Sequence, residues 1–130
     1  MNPETSYTNR VRTLLKRWYP DVVIVKHSDR FKSGIPDLQA SRSNALVIWI
    51  EFKFIPSIAK KRKVPEHEGS ELQIAFLKDH LEIGIPAYVL VGTDKNKSHM
   101  LYSVDRYDGY AYRKDVLTDD ELHGELKWIR

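Results

Sequence analysis
The chain has 130 residues, 42% hydrophobic and 30% charged, with a formal net charge of +3; this balance predicts one globular domain over residues 1–130 and argues against disorder. No apolar run approaches the roughly 20 residues of a membrane-spanning helix. Cysteine is absent, which removes disulfides, thiolate zinc sites and cysteine nucleophiles together.

The slight basic excess suits a polyanionic partner without proving one. Met1-Asn2-Pro3-Glu4-Thr5-Ser6 has neither a charged start nor an apolar signal core. That predicts an intracellular protein, cytoplasmic or virus-encoded and acting in a host cell, with no membrane partner.

In chain order, Asn2-Pro3-Glu4 is a helix start: a capping side chain, a proline at the first helical position and an acid in the first turn. Tyr7, Val11, Leu14, Leu15 and Trp18 follow helical spacing, and Pro20 ends the helix. Val22 to Lys26 is β-branched and reads as a first strand. Lys26, His27, Arg30 and Lys32 then lie among Ser28, Asp29, Ser33 and Gly34. That loop is either a phosphate-contacting segment or a solvated one. Asp37 to Ala40 reads as a second strand, Ser41 to Asn44 as a turn, and Ala45 to Phe54 as a third strand, central because it is apolar on both faces.

Ile58 to Gly69 reads as a loop carrying Lys60-Lys61-Arg62-Lys63. Such a run is usually a solvated face, yet its place just after the third strand also puts it within reach of a nucleic-acid backbone. Ser70 and Gln73 have capping-box spacing and open a second helix with two apolar stripes, Leu72/Ala75/Phe76/Ile83 and Ile74/Leu77/Leu81, which predicts a largely covered helix stopped by Gly84. Ile85 to Val91 is a further strand, parallel to the third by a right-handed crossover. His99 to Val104 is another, Asp105 to Asp115 shows no clear periodicity, and Thr118 to Glu121 caps a short C-terminal helix through Leu122, Leu126 and Trp128.

The chemistry concentrates in the third strand and its approach. Strand alternation puts Val47, Trp49, Glu51 and Lys53 on one face and Leu46, Ile48, Ile50, Phe52 and Phe54 on the other. Ionisable groups on so apolar a strand are costly to bury without a reason. A divalent cation held between Asp37 and Glu51, with Lys53 beside it, supplies one. The five histidines show no zinc spacing and read as surface or loop residues. No phosphate-binding glycine motif is present. Tyr107, Tyr110 and Tyr112 are either stacking platforms for bases or ordinary packing residues.

Gly34-Ile35-Pro36-Asp37-Leu38, Trp49-Ile50-Glu51-Phe52-Lys53, Glu71-Leu72-Gln73 and Gly84-Ile85-Pro86-Ala87-Tyr88-Val89 together resemble the PD-(D/E)xK nuclease superfamily. The match is closest to small stand-alone VRR-NUC nucleases and Holliday junction resolvase-like proteins. The resemblance implies an α/β fold with a restriction-endonuclease-like core, a central mixed β-sheet flanked by helices. It implies Mg²⁺, replaceable by Mn²⁺, on Asp37, Glu51 and the Phe52 backbone carbonyl. It implies catalytic roles for Asp37, Glu51 and Lys53, with Gln73 and Glu4 added from the two helices. Lys53 would act either as base or as electrostatic stabiliser.

Glu4 otherwise reads as a dipole-favouring acid and Gln73 as a cap. Lys26, Arg30, Lys32, Lys60, Lys61, Arg62 and Lys63 would meet the DNA. The substrate implied is branched DNA, four-way junctions included, and cutting a junction symmetrically implies a homodimer. A non-catalytic nucleic-acid-binding module with the nuclease fold and a restriction-type endonuclease are the competing readings.

Overall fold
The computed structural model describes residues 3–27, 35–56, 61–64, 70–93, 98–112 and 116–129. The first helix, α1 (Pro3–Trp18), carries Glu4 in its first turn and Lys16 and Arg17 in its last, both favourable to the helix dipole. It buries Tyr7, Val11, Leu14 and Leu15, the face read from their spacing. The strands β1 (Val23–Lys26), β2 (Leu38–Arg42), β3 (Leu46–Ile55), β5 (Ala87–Thr93), β6 (His99–Ser103) and β8 (Val116–Leu117) form one sheet in the order β1-β2-β3-β5-β6-β8. β3 and β5 are parallel, joined through α2 (Ser70–Glu82), and the other neighbours pair antiparallel.

The sheet is therefore mixed, and β3 lies inside it. Its alternating faces feed two separate cores. Ile48, Ile50 and Phe52 pack with α1, Leu122, Leu126 and Trp128, whereas Trp49 and Ile55 pack with Leu77 and Leu81 of α2. Full burial of each such side chain contributes about 1.5–3 kcal/mol, so β3 is anchored from both sides. Gly84, at φ 93°, ends α2 by the left-handed turn that glycine adopts cheaply. The C-terminal helix α3 (Asp119–Glu125) has the capping box expected of it, Thr118 and Glu121 bonding each other's backbone N–H.

Several expectations are corrected. β2 runs on to Arg42, and the turn into β3 is a short 3-10 segment at Ser43–Ala45 with Asn44 and Ala45 at positive φ. Lys61–Lys63, expected in a loop, forms β4 and pairs antiparallel with β7 (Tyr110–Tyr112). Lysine and arginine have little strand preference, so only the tertiary pairing reveals it. The stretch after Ser103 holds a 3-10 turn at Val104–Arg106 as well as β7.

α2 is less covered than its two stripes suggested: Leu72 is 55% exposed, and Ile83, just past the helix end, 75%. The sheet receives the side bearing Ser70, Gln73, Leu77 and Leu81, with Ile74 and Phe76 partly buried beside it. His99 is not a surface residue. It is fully buried, bonded to the Tyr7 hydroxyl at 2.8 Å and to Asp119 at 2.6 Å. His27 and His80 are half-buried, flanking the Trp49–Phe76 pair of rings. His123 is exposed and stacks on Trp18, and His67 lies outside the described residues. No helix among the described residues is long and apolar enough to cross a membrane.

Candidate active site
Asp37 follows the buried Pro36 and directly precedes β2. Its carbonyl accepts the His27 N–H at 2.8 Å, which extends the β1–β2 ladder and fixes the residue opposite β3. From there its side chain accepts the Phe52 N–H at 2.9 Å, while the Asp37 N–H donates to Glu51 Oε1 at 3.2 Å. Each carboxylate thus clasps the other strand's backbone. One residue's N–H and C=O face the same side of a strand, so the Phe52 carbonyl is turned toward the side that carries Asp37.

Glu51 is fully buried and Lys53 only 2% exposed, on the face that alternation assigned to both. Lys53 Nζ lies 3.6 Å from Glu51 Oε2 and donates to Ser70 Oγ at 2.9 Å. Gln73 does not cap its helix: its Nε2 donates to the Ile35 carbonyl at 3.2 Å, tying α2 to the approach to Asp37. Ser70 was expected only as a helix start and proves to be the lysine's partner. The signal was its three-residue offset from Gln73, which puts both on one helix face.

Burial and then the neighbouring Glu51 carboxylate push the Asp37 carboxyl up to about 8, with a smaller push from Glu4. Glu4, half-buried in the first turn of α1, is therefore close enough to act on Asp37 electrostatically. Two crowded, desolvated acids are the environment that a cation relieves. Among the described residues no three His, Asp or Glu side chains gather around one point. The donor set of Asp37, Glu51 and a strand carbonyl fits a hard divalent ion that keeps several waters.

Of the expected DNA contacts, Lys26 ends β1 and is exposed, and Lys63 is exposed on β4. Lys61 and Arg62 have their backbone in β4. Arg30, Lys32 and Lys60 lie outside the described residues. A cleft of about 300 Å³ opens beside Lys53, lined also by Ser70, Glu71, Ile74, Tyr107, Asp108 and Gly109.

The fold is shared with Hjc, a Holliday junction resolvase from the archaeal hyperthermophile Archaeoglobus fulgidus: the TM-score is 0.61 over 97% of this chain and 99% of that one, at 13% identity. This agreement is with the fold, a mixed α/β sheet flanked by helices of the restriction-endonuclease-like class, as the sequence motifs implied. No family model matches the chain. No curated protein matches it either.

Proposed function
We propose that this chain is a metal-dependent deoxyribonuclease of the PD-(D/E)xK type, most akin to the VRR-NUC nucleases. It acts inside the cell as one nuclease domain and cuts DNA endonucleolytically at branched structures such as four-way junctions. The observation that carries the reading is the trio itself: half-buried Asp37 and buried Glu51 clasped across two strands, with the Lys53 ammonium 3.6 Å from Glu51. A fold in common with a junction resolvase supports the choice of substrate.

Asp37, Glu51 and the Phe52 carbonyl would hold Mg²⁺ or Mn²⁺. When bound, the ion supplies a water of lowered pKa and a Lewis acid for the phosphate. The remaining work falls to the chain. Lys53, held by Ser70, sets a positive charge where the phosphate gains negative charge. Gln73 fixes the segment leading to Asp37, and Glu4 adds negative field beside it. Lys26 and Lys63, with Arg30, Lys32, Lys60, Lys61 and Arg62, would neutralise backbone phosphates on either side.

The test uses near-isosteric changes. Glu51→Gln and Lys53→Met should each lower metal-dependent cleavage at least about a hundredfold, with circular dichroism and DNA affinity retained. Cleavage persisting in both variants would sink the assignment. Salt-dependent binding without turnover in the wild type would favour the non-catalytic module instead.

A further inference from the structure
We propose that the cleft beside Lys53 receives one unpaired nucleobase, displaced from the DNA stack next to the bond that is cut. The inference rests on the nucleic-acid reading above and adds the form of DNA that the site selects.

The cleft, about 300 Å³, is at the small end of the range for ligand pockets, with room for a flat ring system. Two of its lining residues, Tyr107 and Ile74, carry large apolar side chains. Tyr107 packs edge-on against Tyr102, ring centroids 5.7 Å apart, and is partly buried against the α2 side of the core. Stacking on such a ring is tolerant of sequence because every base has a π-face.

The polar walls select against a phosphate in the cleft. Glu71 and Asp108 are exposed acids that line it, and they would repel one. Carboxylates instead accept hydrogen bonds from exocyclic amines, which adenine, cytosine and guanine carry and thymine lacks. Asp108 is oriented by accepting the Tyr110 N–H at 3.0 Å.

Position ties the cleft to the cut. Lys53 lines it and also lies 3.6 Å from Glu51. A base in the cleft would bring its own backbone next to Lys53, the residue the cleft shares with the carboxylate pair. A base held in a duplex stack cannot enter such a pocket without unpairing, which costs a few kcal/mol and least where the nucleotide is already unpaired. Discrimination for flaps, bulges and branch points that carry an unpaired nucleotide then follows from one small cleft.

The test is a binding experiment in EDTA, so that no strand is cut. The probe is a duplex with one unpaired 2-aminopurine, compared with the same duplex carrying an abasic residue there. Wild type should bind the base-bearing probe about tenfold more tightly and change its fluorescence. Tyr107→Ala should abolish both differences, and Tyr107→Phe should keep them. Equal affinity of wild type for the two probes would overturn the proposal, as would an equal loss of both in Tyr107→Ala. A parallel Mg²⁺ assay separates the two readings. If the base docks but no DNA is cut, the nuclease reading fails alone; if DNA is cut with the abasic probe bound equally, the cleft proposal fails alone.

Discussion
Desolvation shifts both Asp37 and His99, and the two respond oppositely to pH. The Asp37 carboxyl keeps its proton in the folded chain up to about pH 8, because it is desolvated next to Glu51. In the unfolded chain it gives that proton up near 3.9. Raising the pH between these values therefore favours unfolding of the metal-free protein.

Burial holds the His99 imidazole below its ordinary value against the pull of Asp119. The unfolded histidine takes up its proton first, near 6.5, so lowering the pH through that range also favours unfolding. Burial alone would raise Asp119, but the His99 bond and the Arg10 guanidinium outweigh it and keep its pKa low. That adds a loss below about 3.9. Melting curves in EDTA should show Asp37→Asn removing the loss of stability as pH rises toward about 8, and His99→Gln the loss as pH falls below about 6.5. An unchanged pH dependence in these variants would refute the assignments. Asp37, Glu51 and Lys53 were legible because they stand on or beside one apolar strand. His99 was not, since its partners are Tyr7, 92 residues away, and Asp119.

At the scale of elements, α1, β5 and β6 are locked by one close approach. A Cβ at Gly92 of β5 would overlap the Tyr7 ring, whose hydroxyl reaches His99 on β6. Gly92→Ala should cost about 1–3 kcal/mol, the usual penalty for overpacking, read as a lower urea midpoint. A neutral result would mean that α1 shifts freely. The alternation of β3 could be read in advance because a strand has period two and both its faces are buried. The coverage of α2 could not. Two apolar stripes satisfy helical periodicity equally, and only the position of the sheet decides that Leu72 and Ile83 face outward. The cationic strand β4 was hidden for a related reason, its pairing with β7 being a long-range event.

For the whole molecule, the proposed substrate sets the assembly. One 15.2 kDa chain carries one carboxylate pair, and symmetrical resolution of a four-way junction takes two. Light scattering should therefore give about twice the chain mass, in line with the two-fold assemblies that closed interfaces favour. Mixed with excess Glu51→Gln, wild-type protein should nick junctions on one strand rather than cut both. A monomer that makes paired cuts would contradict the dimer. The sequence carried this only through its resemblance, because an interface leaves no local period in the chain.

The crossed clasp between Asp37 and Glu51 also bears on how the two positions can be exchanged. Each acid closes a gap in the other strand's hydrogen-bonding edge, so alanine at either place deletes a reactive group and a main-chain fastening together. An amide keeps an acceptor oxygen and removes only the charge. Chemistry and sheet integrity are thus written on the same two side chains, and a drift to inactivity that preserves the fold passes more easily through asparagine or glutamine than through alanine.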